Sequence, residues 1–425
     1  MAQSAHIRSY YAASINLPLA FSSLQTDVDC DVCIIGGGIT GCSAALELAE
    51  RGYRVVLLEG QQIGWGASGR SGGQILQGFA CGQTKLQRLV GKETAFQLWQ
   101  FSLDAINLLK QRITQHQIQC DFQQGIAEVA VKPRQYHDLK VVAQEMQTDY
   151  QYSSVHFMER EELCSVLATS RYLGGIYDAN GGHIHPLNYT LGLAKAAQLA
   201  GAHLFEQSLV TGITQGNQPI VHTAQGQVRC QHLILSGNAY LRHVMPSIEA
   251  MVMPVGTYIL ATEPFAEASQ LIRNNMAVAD VNFVLDYFRL SADNRLLFGG
   301  QVSYSTIDPF NLEGIMRRHM LRVFPQLHAV KTEFVWGGHV AITINRAPHF
   351  GRIGKNIYFA HGYSGHGLAV AGLAGQLMAE AVAGTAEKFD VFGKIPHYPF
   401  MGGRWLRTPL LVLGTTYYKI KDYLA

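Results

Sequence analysis

Charge is scarce in this chain. Only 15% of its 425 residues are Asp, Glu, Lys or Arg, against about 25% in an average soluble domain. The 33 basic and 31 acidic residues nearly cancel, which leaves a formal net charge of +2. Nucleic-acid binding by phosphate neutralisation needs a basic excess, and none exists. Long apolar runs are lacking too. The most apolar stretch, Leu368–Gly384, is short of the roughly 20 residues that span a bilayer, and it carries Glu380. A buried helix is expected there. Cysteines number 7, an odd count without framework spacing. The N-terminal stretch has no basic head followed by an apolar run, so the expected setting is a reducing cytoplasm. Disorder is excluded by 48% hydrophobic residues.

What the chain does have is glycine, 43 residues of it. Helix-period segments alternate with short apolar runs, which argues an α/β chain with α+β character. Helices are expected over Ala95–Gln115 and Leu187–Gly201, and strands over Ile126–Val131, Val228–Leu235, Arg295–Gly299 and Asn356–Ala360. The pair Cys30 and Cys33 lies in an apparent strand, where the two side chains would face apart. His183 and His185 form a His-x-His without a nearby third ligand, so no metal is expected. Pro186 reads instead as a helix start.

The first glycine cluster is a dinucleotide fingerprint. Asp31–Ile35 is an apolar run of the kind a buried parallel strand requires. It leads into Gly36, Gly38 and Gly41 in G-x-G-x-x-G spacing, with Ile39 and Thr40 between. A helix over Cys42–Arg51 ends at Gly52, and a second strand, Arg54–Leu58, ends at Glu59. Gly36 makes the tight turn, Gly38 admits a pyrophosphate, and Gly41 permits close helix–strand packing. Glu59 can accept from ribose hydroxyls and would repel a 2′-phosphate, so NADP is disfavoured.

Two further clusters separate FAD from NAD. Gly64–Gln74 follows the second strand and carries one cation, Arg70. Gly362, Tyr363, Ser364, Gly365, His366 and Gly367 precede the apolar helix. The positive end of that helix suits the anionic N1/O2 locus of a reduced flavin. Together these segments resemble the FAD-dependent amine and amino-acid oxidoreductases of the D-amino-acid-oxidase/glycine-oxidase type. The stretches Ser9–Ser14, Ile63–Gln74, Gly181–Tyr189, Tyr287–Gly300, Asn345–Arg352 and Gly402–Leu411 narrow the resemblance to the gamma-glutamylputrescine oxidase subfamily.

The resemblance implies a Rossmann-like FAD-binding domain built from discontinuous segments (1–80, 152–245, 336–390). It implies a substrate domain with a mixed or antiparallel sheet (81–151, 246–335) and a C-terminal tail (391–425). It assigns Gly36, Gly38, Ile39, Thr40, Gly41 and Glu59 to the adenosine and pyrophosphate. Gly66, Ala67, Ser68, Gly69, Arg70, Gly72, Gly73 and Gln74 would line pyrophosphate and flavin. Val210 would meet the adenine and Gly237 the nucleotide turn. Gly362, Ser364, Gly365, His366 and Gly367 would flank the flavin pyrimidine.

The implied reaction takes a C–N bond to an imine with hydride passing to flavin N5. Tyr258, Tyr287, Phe288, Trp336 and Tyr363 are candidates to enclose the amine. Arg289 and Arg346 are candidates for a substrate carboxylate, and His339 lies near by. The segment Trp336–Thr343 has no cysteine, so non-covalent FAD is expected. Relatives that reduce oxygen place a lysine near N5, and the strand Arg295–Gly299 is apolar at its centre. The electron acceptor therefore stays open between oxygen and a quinone or other carrier, and a non-catalytic flavin sensor is a further alternative. Leu406, Leu410, Leu413, Tyr417, Ile420 and Leu424 fall at helical spacing. That tail reads as a helix packed on its own domain, with peripheral membrane contact as the alternative.

Overall fold

The computed structural model describes residues 6–241, 244–303 and 309–400. The C-terminal helix expected from Leu406 onward lies outside the described residues.

The fingerprint region forms the centre of a six-stranded sheet. Its order is His349–Ile353, Ile357–His361, His232–Leu235, Val32–Ile35, Val55–Leu58, His203–Phe205. All neighbours are parallel except the first pair. Alternation along Val32–Ile35 builds two layers. Val32 and Ile34 enter the cluster shared with the helices. Cys33 and Ile35 enter the opposite cluster, shared with Val210, Val221 and Val228. That opposite layer is a small four-stranded sheet of Val28–Asp29, Gln227–Arg229, Ile220–His222 and Gly212–Thr214.

Two expectations are corrected here. The run Val228–Leu235 is not one strand. It is split into Gln227–Arg229 and His232–Leu235, which serve different sheets. Cys30 and Cys33 do not face apart, because residue 31 is a bend and both thiols enter the same apolar cluster. Both are free.

The helix Ile39–Glu50 starts directly at Gly38 and packs against Gly367–Val382 and Pro186–Leu199. Glycines allow the approach: a Cβ at Gly375 would sit 2.4 Å from the Thr40 carbonyl. The buried Arg112, on helix Lys92–Gln115, donates to Ser43 Oγ (2.7 Å) and to Glu47 Oε1 (2.8 Å). A buried cation must be paired in this way. Pro186 opens its helix, and the His185 ring caps it by accepting from the Asn188 amide.

The third sheet is large, nine-stranded and mixed. Thr332–Ile342, Met253–Thr262, Leu296–Ser303, Tyr287–Leu290 and Ala277–Asp280 run antiparallel to their neighbours. Ala277–Asp280 then pairs parallel with Gln123–Ala130. Val155–Glu159 and Gly174–His183 also belong to this sheet. The expected boundary at 152 placed them with the cofactor domain instead. Leu312–Val323 covers the far face of the sheet, and Phe288, Phe298 and Met316 fill the space between. No single helix among the described residues is long and apolar enough to cross a membrane.

Candidate active site

Between the parallel sheet and the large sheet lies a cavity of about 930 Å3. Its size is in the range of a cofactor and substrate site. Three backbone segments close on it, and each carries one of the glycine clusters.

The first segment is the fingerprint turn. Gly36 has φ +108°, and a Cβ at Gly41 would lie 1.9 Å from the Gly36 carbonyl oxygen, so both positions require glycine. The helix has no side-chain cap of its own, though the Ile39 amide donates to Ser68 Oγ at 3.0 Å. Its remaining first-turn N–H groups suit an anion. Glu59 accepts from the Gly37 amide (2.7 Å) and the Gln61 amide (2.9 Å). Burial, followed by the nearby Glu206 charge, outweighs these bonds and pushes its carboxyl above the usual range.

The second segment is Gly64–Gln74. Arg70 stacks on the Trp65 ring at 4.0 Å and donates to the Trp65 carbonyl. Among the described residues its Nη2 is buried without a partner, as are Ser71 Oγ and Arg346 Nε. All of these residues line the cavity. Buried donors without acceptors are rare in native proteins, and this set fits the phosphates and ring carbonyls of a flavin nucleotide. Burial lowers the Arg70 pKa, as expected for a cation awaiting an anion.

The third segment is the start of Gly367–Val382. His366 precedes it without a side-chain cap bond, and Ser364 has φ +56°. The Tyr363 hydroxyl meets Thr40 Oγ1 at 2.8 Å, so the two helix starts are tied together. The His366 Nε2 donates to the Gln77 carbonyl at 3.2 Å. Burial first holds its pKa down to about 4, so the ring is neutral near pH 7.

Of the residues assigned from sequence, Gly36, Gly38, Ile39, Thr40, Glu59, Gly66, Ala67, Ser68, Arg70, Gly72, Gly73 and Gln74 line the cavity. So do Val210, Gly237, Ser364, Gly365, His366 and Gly367. Gly41, Gly69 and Gly362 stand behind the wall and shape it. Tyr287, His339, Arg346 and Tyr363 also line it.

Other residues assigned to the substrate do not reach it. Thr257 faces the cavity, so alternation sends Tyr258 into the core behind the sheet. Phe288 is directed the same way and stacks on Phe298. Trp336 is buried and donates to the Arg70 carbonyl at 3.0 Å. The Arg289 guanidinium is consumed by neutral acceptors: Gly72 O at 2.7 Å, Ile184 O at 2.9 Å and Tyr11 Oη at 3.0 Å. It pins the glycine loop from behind. His183 meets the Asn275 carbonyl, and His185 meets Ser14 and Asn188.

Reading the sequence alone misses Trp65, Asp280, Gln301 and Glu128, all on the cavity wall. Glu128 had a signal, a lone carboxylate in the apolar run Ile126–Val131. Gln301 had none, since its left-handed backbone (φ +54°) is a tertiary property.

The family of FAD-dependent oxidoreductases known as DAO matches residues 31–381. This chain belongs to that family. Its cofactor is therefore FAD, and the orphaned donors above are consistent with it. Gamma-glutamylputrescine oxidoreductase of Escherichia coli K12 is 42% identical over 99% of each chain. A probable oxidoreductase of Haemophilus influenzae, OrdL, is 43% identical over 98% of this chain and 97% of its own. Glycine oxidase of Geobacillus kaustophilus superposes with a TM-score of 0.73 at 20% identity, covering 87% of this chain and 99% of that one. Such an identity speaks for the fold alone. The DAO-family fold brings the fingerprint helix and the large mixed sheet to opposite sides of the same cavity.

Proposed function

We propose that the protein oxidises a primary amine of gamma-glutamylputrescine or a related polyamine derivative. The observation that carries this is the 42% identity to gamma-glutamylputrescine oxidoreductase across 99% of both chains. FAD held by the residues named below would supply the hydride acceptor for the amine-bearing carbon and the route of its electrons to an acceptor. The imine then takes up water and releases aldehyde and ammonia, and with oxygen as acceptor the further product is hydrogen peroxide.

The chain's own contribution is position, dryness and charge. Gly36, Gly38 and Gly41 with Glu59 take the adenosine half, and Ala67–Gln74 with Gly365–Gly367 take the flavin. The two helix starts offer N–H groups to phosphate and to the flavin pyrimidine edge. With Nε2–H given to the Gln77 carbonyl, the neutral His366 keeps Nδ1 as an acceptor and adds no charge. Tyr287 and Tyr363 enclose the amine, and Arg346, whose Nε has no partner among the described residues, suits a carboxylate. A dry cavity lowers the amine pKa, which favours the neutral form that loses hydride. No cysteine lines the cavity among the described residues, which supports non-covalent FAD.

A second reading differs only in the electron acceptor. No lysine lines the cavity among the described residues either, which favours a quinone or another carrier over oxygen. The test mixes the holoenzyme anaerobically with gamma-glutamylputrescine and follows flavin bleaching. Bleaching followed by peroxide release in air supports oxidase action. Bleaching with dye reduction and no peroxide supports the dehydrogenase. Flavin left oxidised by a broad amine panel overturns both and leaves a flavin-binding sensor.

A further inference from the structure

The second glycine loop lies over a buried charge that the reaction above does not use. Arg289 is on the strand Tyr287–Leu290, two residues on from Tyr287, which lines the cavity. Pleat alternation puts Arg289 on the same face, while Phe288 between them enters the core behind the sheet. The guanidinium does not reach the cavity, because Gly72 and Gly73 cover it. Its Nε donates to the Gly72 carbonyl at 2.7 Å, and a Cβ at Gly73 would stand 3.0 Å from Nη2. Both glycines line the cavity. Bare backbone is therefore what separates the cation from the ligand space.

Arg289 is 3% exposed. Besides Gly72, its N–H groups reach the carbonyls of Ile184 (2.9 Å) and Leu290 (3.1 Å), the Tyr11 hydroxyl (3.0 Å) and His183 Nδ1 (3.5 Å). Every one of these acceptors is neutral. Burial first, then the Arg289 charge, lowers His183 and His185 to about 3. Asp293, on the turn after the strand, pairs with Arg295 at 2.7 Å. No carboxylate pairs with Arg289 among the described residues. Arg112 is the contrast, a buried cation with Glu47 at 2.8 Å. A buried charge whose hydrogen bonds are met but whose sign is not remains unfavourable until an anion arrives.

The course of the loop says which anion. Ser68, early in the loop, accepts from the Ile39 amide at the fingerprint turn, where the pyrophosphate belongs. Gly72 and Gln74 lie further along. A Cβ at Gly72 would meet the Tyr287 ring, and Gln74 Nε2 donates to the Val278 carbonyl at 3.0 Å. Arg289 thus backs the flavin-ring end of the cavity. Oxidised flavin is neutral in its ring. On taking up a hydride, which is two electrons and one proton, the ring gains one negative charge. We infer that Arg289 is a charge set behind the flavin loop that favours reduced over oxidised flavin and so raises its potential as a hydride acceptor. It acts by its field across a thin protein wall, where opposite charges attract far more strongly than in water. The role holds whatever amine supplies the hydride.

The potential reports the ratio of affinities for two redox states, so a variant that only loosens the loop weakens both and leaves the ratio. The experiment titrates wild-type, Arg289→Gln, Arg289→Lys and His183→Asp holoenzymes with dithionite against indicator dyes, each checked for flavin content. No amine is present, so a wrong substrate assignment does not touch the result. Arg289→Gln is expected to lower the preference for reduced FAD at least about tenfold, a fall of about 30 mV for a two-electron couple. Arg289→Lys keeps the charge, loses the fork of hydrogen bonds, and stays close to wild type. His183→Asp keeps Arg289 but puts a carboxylate beside it, and lowers the potential in the same direction. That variant carries the test if Arg289→Gln does not fold. An unchanged potential in the neutralised variants overturns the role. A lysine variant as low as the glutamine one assigns the effect to hydrogen bonds and overturns it as well.

Discussion

Arg70 shows how one side chain can wait for a ligand. Its guanidinium stacks on Trp65, donates to the Trp65 carbonyl, and leaves Nη2 buried without an acceptor among the described residues. Arg70→Ala is expected to weaken FAD binding by roughly 10- to 100-fold, the loss of a charge-assisted hydrogen bond. Equilibrium dialysis of the variant checks this, and unchanged affinity would remove Arg70 from the site. Sequence inspection finds Arg70 because it is the one cation in a glycine loop. Inspection cannot separate Arg289 from Arg346. Both are arginines in stretches shared with the same subfamily. Only packing shows that Arg289 is consumed by carbonyls behind the loop, whereas Arg346 Nε at the wall has no partner among the described residues.

At the scale of elements, two helix starts must approach each other to within a hydrogen bond. Gly375 makes this approach close, with a Cβ there meeting Thr40 O at 2.4 Å and Ser43 Oγ at 2.5 Å. Gly375→Ala is expected to destabilise the protein by about 1–3 kcal/mol through overpacking. A thermal melt at fixed FAD concentration measures it, and an unchanged midpoint would contradict the packing account. A second element-level feature is the strand pair His349–Ile353 and Ile357–His361. His349 Nδ1 meets His361 Nε2 at 2.9 Å, and the His349 ring stacks on His397. Burial, then the His397 charge, lowers the His349 pKa from 6.5 to about 3. Burial lowers those of His361 and His397 as well. A histidine that resists protonation when folded favours the unfolded chain as pH falls. Stability is therefore full above about pH 6.5 and is lost toward pH 3, by on the order of 1–2 kcal/mol for His349 at pH 5. Melting between pH 7.5 and 5 should show a steeper decline in wild type than in His349→Gln. Parallel slopes would place the acid sensitivity elsewhere. The separate elements were legible because each has a local signal: the apolar run Asp31–Ile35, the glycine start at Gly38, and Pro186 at a helix start. The break at Cys230–Gln231 was not, because only the pairing of Gln227–Arg229 and His232–Leu235 with different sheets divides the run.

For the whole molecule, the cavity of about 930 Å3 is an interior that protein atoms alone do not fill. FAD that binds the native state and not the unfolded chain stabilises by linkage, roughly 2.7 kcal/mol at 100 times its dissociation constant. Removing FAD should lower the melting midpoint and raise protease sensitivity, and adding it back should reverse both. A midpoint independent of FAD concentration would argue against a cofactor buried at this interface.

The sequence by itself determined the family, the FAD fingerprint and the three glycine clusters. These depend on local rules: strand period, helix start, and turns that only glycine can make. Tertiary structure decided which residues face the ligand. Tyr258 and Thr257 are neighbours in sequence, and pleat alternation sends one to the core and the other to the cavity. Glu128 and Tyr287 are far apart in sequence, and sheet register sets them on one floor with Ala279 between. Facing and register are fixed by how distant strands pair, and no local pattern of residues carries that information.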